Sequence, residues 1–192
     1  TTVKSYTETL ADSVADNSID KDMFASFLRV INSETDRMTR LVKDLLTLSK
    51  LDYGHRELKK EDVDISYLVM GIVERMKINA SSKNVKLTYE PTNQLPIIMG
   101  DKDRLEQVIV NVISNAIKYT PGGEGTVFVS TGRMYQNVYI KIKDNGMGIP
   151  KDDLPHVFER FYRVDKARSR EQGGTGLGLA ISTEIIKEHG GK

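Results

Sequence analysis

The sequence predicts an α+β protein in two unlike parts, a helical hairpin over residues 1–56 and a layered α/β domain over residues 57–192. Two observations carry this. Residues 1–53 contain neither glycine nor proline, so nothing there interrupts helical backbone, whereas thirteen of the 15 glycines fall between Gly100 and Gly191. In the second part, Val138, Ile140 and Ile142 alternate with Tyr139, Lys141 and Lys143, the period of a strand with one covered face.

The first helix is expected over Val3–Ala15, with Asp16-Asn17-Ser18 supplying turn and cap chemistry. The second is expected from Asp20 to Tyr53, stopped by Gly54. Its apolar residues follow two heptad tracks, Phe24, Ile31, Met38 and Leu45 on one and Phe27, Leu41 and Leu48 on the other, which Glu34 breaks once. A seam of that length suits a bundle, and a lone hairpin cannot bury it on both sides. Dimerisation into a four-helix bundle is therefore expected, against the alternative of a hairpin packed on the rest of its own chain. The charged stretch from His55 to Asp64 reads as a linker. Helical spacing returns over Ile65–Ala80, followed by a strand at Val85–Tyr89 and a short one at Ile97–Met99. Asp101 is placed to cap a helix running to Tyr119, and Thr126–Thr131 precedes the alternating strand. Residues 145–176 form a long glycine- and charge-rich loop, the kind that serves as a lid or binding loop, before a final helix over Leu177–Glu188.

Composition narrows the function. Lys and Arg total 28 against 27 Asp and Glu, a formal charge of +1 that argues against holding nucleic acid by bulk charge. The absence of cysteine excludes disulfides, thiolate metal sites and a cysteine nucleophile. No apolar run approaches the roughly 20 residues of a membrane span.

Three segments could carry chemistry. Asn111, Asn115 and Lys118 fall at i, i+4 and i+7, on one helix face. Amide oxygens there could ligate Mg²⁺ beside a lysine that meets phosphate, although an exposed polar stripe has the same spacing. Asp144-Asn145-Gly146-Met147-Gly148-Ile149-Pro150 comes directly after the best strand, where a carboxylate could accept from an adenine amine or simply begin a turn. Gly173-Gly174-Thr175-Gly176-Leu177-Gly178-Leu179 opens the last helix, and glycines ahead of a helix N-terminus suit phosphate. The spacing is neither the dinucleotide fingerprint nor a P-loop. Arg160, Arg163, Lys166, Arg168 and Arg170 stand against one acid, Asp165, just before it.

In chain order these segments are Asn111-x-x-x-Asn115-Ala116-x-Lys118-Tyr119-Thr120, Asp144-x-Gly146-x-Gly148, Phe158-Glu159-Arg160-Phe161 and Gly174-Thr175-Gly176-Leu177-Gly178-Leu179. They resemble the N, G1, F and G2 boxes of bacterial sensor histidine kinases. Arg37-Met38-x-x-Leu41-Val42-x-Asp44-Leu45-Leu46 is similar to that family's second dimerisation helix. The resemblance implies a Bergerat-type ATP-binding sandwich after a dimerisation hairpin, with ATP or ADP and Mg²⁺ as cofactors. It implies that Asp144 reads adenine, that Gly146, Gly148, Ile149 and Phe158 line the nucleotide, and that Asn111 and Asn115 serve Mg²⁺. It places Lys118 and Tyr119 near the phosphates, Arg160 or Arg163 at the γ-phosphoryl, and the backbone of Gly174, Thr175, Gly176, Leu177 and Gly178 around the phosphates. The partners implied are a second copy of the chain and a response regulator's receiver domain. The compartment implied is the cytoplasmic side of a membrane-anchored kinase, the anchor lying outside these residues.

The family's phosphoacceptor histidine, leading into Glu-Leu-Arg-Thr-Pro-Leu, has no counterpart here. His55, His156 and His189 all stand in other contexts, and Thr1-Thr2-Val3-Lys4-Ser5-Tyr6 looks like the stretch just after that motif. The expectation is a core that starts after its phosphoacceptor, stops before its last strands and does not autophosphorylate. Two further readings are a Bergerat-fold ATP hydrolase and a non-catalytic dimerisation module. Asn111 stands where the superfamily's hydrolases usually carry a water-activating glutamate, which disfavours hydrolysis.

Overall fold

In a computed structural model the described residues are 2–15, 20–52, 58–92, 94–164 and 174–192. The expected turn at 16–18, the helix stop at Gly54, His55, and the lid residues Asp165, Lys166, Arg168, Arg170 and Gly173 lie outside them. The hairpin comprises α1 (Thr2–Ala15) and α2 (Lys21–Asp52). Tyr6 meets Phe27 edge-on at 4.8 Å between ring centroids, and Leu10 is buried.

The two heptad tracks have different fates. Phe27 faces α1, while Leu41 and Leu48 pack on the final helix, so the hairpin does lie against its own chain at one end. Met38, Val42, Leu45 and Leu46 stay about half exposed and form an apolar stripe along the same helix. A long stripe of that kind is unusual on a monomer surface.

The second part holds β1 (Glu61–Val63), α3 (Ile65–Ser82), β2 (Val85–Glu90), β3 (Ile98–Gly100), α4 (Lys102–Tyr119), β4 (Gly125–Met134), β5 (Asn137–Asp144) and α5 (Gly178–Glu188). The expected linker over 55–64 ends in a strand instead, because Glu61–Val63 pairs antiparallel with β3. The larger sheet has the order β2-β4-β5, parallel in the first pair and antiparallel in the second. Val127, Val129 and Thr131 of β4 point to the buried face, where α3 supplies Val69, Ile72 and Val73 and α4 supplies Ile109, Ile113 and Ile117. The opposite face carries exposed Lys86, Thr126, Lys141 and Lys143, which explains the alternation in β5.

Both domain helices that carry acids ahead of them are capped as the sequence indicates. Asp64 accepts the Tyr67 N–H and Asp101 the Arg104 N–H. Asp101 also receives the Lys59 N–H at 3.1 Å. At the far end of α5, His189 Nδ1 lies 2.7 Å from the Ile185 carbonyl and Nε2 accepts the Asp101 N–H at 2.9 Å. An acceptor Nε2 makes the ring neutral, with its hydrogen on Nδ1. One ring thus ties the end of α5 to the start of α4. Replacing it as His189→Ala leaves a part-buried N–H without its acceptor. Urea unfolding should then show a loss of about 1–3 kcal/mol, and an unchanged midpoint would remove this role.

Candidate functional site

Helix α4 brings the motifs together. Asn111 lies on the side facing α5, where its Nδ2 donates to Ser182 Oγ at 2.9 Å. A Cβ placed on Gly178 would fall 2.2 Å from Asn111 Oδ1, so glycine at this position is what lets α5 seat its first turn on the amide. Asn115 and Lys118 come later on the same helix and are half-buried, and the Lys118 ammonium sits 4.9 Å from the centre of the Tyr119 ring.

The Tyr119 carbonyl at the end of α4 receives the Met147 N–H at 3.2 Å. A Cβ on Gly146 would lie 2.6 Å from that oxygen, which only glycine avoids. Gly148, at φ +70°, adopts the left-handed backbone that favours glycine. Gly146 therefore serves the loop's docking on α4 and Gly148 the loop's own turn, before any ring approaches them. Asp144 continues the row of Ile140 and Ile142 and pairs across to buried Val127, so its position lies on the helix-covered side of the sheet. Its carboxylate stays exposed at the strand end, with Oδ1 accepting the Gly146 N–H at 3.0 Å.

The lid segment joins the glycine loop through the backbone. Phe161 N–H donates to the Gly176 carbonyl at 2.8 Å, with Phe161 at φ +64° and Gly176 at φ +74°. A bulky residue in the left-handed region is held there by its surroundings. Ile149, Phe158 and Phe161 are each about half exposed, an apolar surface beside Asp144 and the glycine loop in sequence. Arg160 and Arg163 both have interaction partners, and Arg163 Nε and Nη2 are shielded from solvent. The Tyr162 hydroxyl donates to Asp153, which holds its phenol above the usual range.

Gly174, Thr175 and Gly176 lead into α5, whose N-cap residue Leu177 has no capping side-chain bond. Thr175 Oγ1 instead accepts the Leu177 N–H at 3.3 Å and donates to Asp44 Oδ2 of α2 at 2.8 Å. The Leu177 side chain is fully buried with Leu48, Ile181 and Ile185, so only its backbone faces any ligand. Asp44, inside the segment similar to the second dimerisation helix, has no site role in the sequence pattern yet meets the glycine loop here. It sits three residues after Leu41 and four before Leu48, a carboxylate flanking that apolar track, and this placement is the signal the sequence carries. Burial pushes its carboxyl above the ordinary range, against the opposing pull of the Thr175 bond and Arg40.

Among the described residues no group of three or more His, Cys, Asp or Glu could hold a metal ion. A hard cation would rely on the amide oxygens of Asn111 and Asn115 together with phosphate and water, a donor set that suits Mg²⁺. The uncapped start of α5 and the left-handed backbone of Gly176 just before it fit an anion lying along that helix end.

Comparison with known proteins agrees with this layout. Residues 1–54 match the family described as the His Kinase A (phospho-acceptor) domain, and residues 100–192 match the Histidine kinase-, DNA gyrase B-, and HSP90-like ATPase family. The chain is 43% identical over its whole length to the sensor histidine kinase WalK of Bacillus subtilis (strain 168), and covers 31% of that protein. It thus spans about a third of the length of the curated relatives it matches. Among solved structures, full-length ShkA in complex with AMPPNP superposes at a TM-score of 0.73 and 27% identity, over 90% of this chain and 35% of that one. The mycobacterial sensor histidine kinase MprB superposes at 0.57 and 32% identity, over 68% of this chain and 80% of that one. With both family matches in the expected order and the hairpin-plus-sandwich fold in place, the chain belongs to the sensor histidine kinases.

Proposed function

We propose that this chain is the core of an ATP-dependent protein-histidine kinase. It binds Mg-ATP between α4, the 144–149 loop and the glycine loop, and directs the γ-phosphoryl to a histidine outside these 192 residues. From there the phosphoryl passes to an aspartate on a response regulator's receiver domain. The observation that carries the reading is the seating of Gly178 on Asn111, which sets a polar amide against the start of α5. The AMPPNP in the ShkA complex supports nucleotide as the ligand class.

Each residue's task comes from its chemistry. Asp144 accepts from the exocyclic amine of adenine, and the Gly146 N–H bond on its Oδ1 fixes the carboxylate's orientation. Ile149 and Phe158 cover the base with apolar surface. Gly174, Thr175, Gly176, Leu177 and Gly178 present backbone N–H groups to phosphate oxygens. Asn111 and Asn115 hold Mg²⁺, which when bound neutralises charge on the phosphates. Lys118 and Tyr119 lie near the phosphates, and Arg160 or Arg163 takes up charge on the transferring group. Positioning and charge stabilisation are most of what phosphoryl transfer needs from a protein. Asn111 offers no carboxylate to activate water, so hydrolysis is the weaker outcome.

The stripe of Met38, Val42, Leu45 and Leu46 is the surface on which a second copy docks to form a four-helix bundle. In the cell this core would lie on the cytoplasmic side of a membrane-anchored kinase. Among the described residues, no helix is long and apolar enough to cross a membrane.

Asp144→Asn removes the charge and puts an amide donor where one acceptor oxygen stood, so the Gly146 N–H and an adenine amine no longer each meet a carboxylate oxygen. Calorimetry with Mg-AMPPNP should show about tenfold to a hundredfold weaker binding. Wild-type affinity would remove the adenine assignment. Leu46→Asp puts a charge in the proposed dimer seam, and sedimentation should shift from dimer to monomer. A dimer that persists would place the interface elsewhere.

A further inference from the structure

The proposed chemistry leaves Asp44 without a task, although its surroundings make it costly to keep. The carboxylate is half-buried between Leu41 and Leu48, where α2 meets Leu177, and burial raises its pKa. A plain interdomain hydrogen bond would account for Asp44 if its partner lay anywhere else. Its partner is Thr175, whose oxygen also takes the Leu177 N–H at the start of α5. That helix end is where phosphate oxygens would lie, so a carboxylate and a triphosphate are drawn to the same few ångströms. Two anions at that separation, partly screened from water, repel strongly.

We propose that Asp44 and Thr175 form a latch between α2 and the phosphate cradle, closed in this structure and opened by a nucleoside triphosphate. The inference rests on the nucleotide reading above and adds regulation of that same site. Asp44 acts as a positioning residue: it holds Thr175 toward α2 and keeps a negative charge beside the cradle. When the triphosphate enters, Thr175 leaves Asp44 and α5 moves away from Leu48. Coupling between two such events is reciprocal. Loosening the latch therefore tightens nucleotide binding, and nucleotide separates α2 from α5.

The chain has no cysteine, so a labelled pair introduced as Lys50→Cys and Lys187→Cys, both at exposed positions, reports the α2–α5 separation cleanly. Mg-AMPPNP is the probe, with its affinity measured by calorimetry on the unlabelled chain and on Asp44→Ala. The separation should lengthen on saturation, and Asp44→Ala should bind the analogue about fivefold tighter or more and show the longer separation without it. Asp44→Asn, whose amide oxygen still accepts from Thr175, should keep the short separation in the absence of analogue. An unchanged affinity in Asp44→Ala, or an unchanged separation in the saturated chain, overturns the latch and leaves the nucleotide site standing. No binding to either protein overturns the nucleotide reading, and the latch with it.

Discussion

The contact between Asn111 and Gly178 is the constraint on which the rest of the site depends. It exists because one residue lacks a Cβ, and it sets the distance between α4 and α5 where a ligand would need both. Helix α4 is tied to its neighbours at three levels, twice to α5 and once to a loop. His189 joins the end of α5 to the cap of α4, Asn111 joins their middles through Ser182, and the Tyr119 carbonyl anchors the 146–148 loop at the other end of α4. Three motifs scattered along the chain therefore converge on one helix, whose other face is locked in the core by Ile109, Ile113 and Ile117. A rigid helix of that kind can hold polar groups in position while the lid beside it carries exposed apolar side chains.

The electrostatics show the same division. Net charge is close to zero, and among the described residues no acidic cluster could hold a cation unaided. What the site offers instead is directional: an uncapped helix start, amide oxygens, and a carboxylate fixed by a backbone N–H. Such an arrangement suits a ligand that brings its own negative charge and its own metal shell. A half-buried carboxyl that opposes it, Asp44, comes from the other part of the chain, so the hairpin itself can bear on the site.

Most elements were legible because local pattern and tertiary environment agree. The glycine-free front became two helices, and the alternation at Val138, Ile140 and Ile142 became an outer strand with one covered face. Asp101 capped its helix as read. Strand β1 was not legible, because Glu61-Asp62-Val63 sits in a charged stretch and is extended only through its pairing with β3. In the site, the residue types of the motifs were readable but not their contacts. Gly146 and Gly178 each answer to a partner far along the chain, Tyr119 and Asn111, and no spacing rule shows which atom a missing Cβ would strike. Leu177 read as part of the cradle, yet its side chain belongs to the seam with Leu48, because the glycines around it set only the backbone's course.

The central claim is that the Asn111–Gly178 contact builds the nucleotide site rather than merely packing two helices. Gly178→Ala tests it directly, because alanine favours the helix while its methyl displaces the end of the Asn111 side chain. Calorimetry with Mg-AMPPNP, run beside thermal unfolding, is the decisive measurement. Binding should weaken by about tenfold or more, while the variant still unfolds in one cooperative transition. Wild-type affinity in a variant that folds normally would contradict the claim.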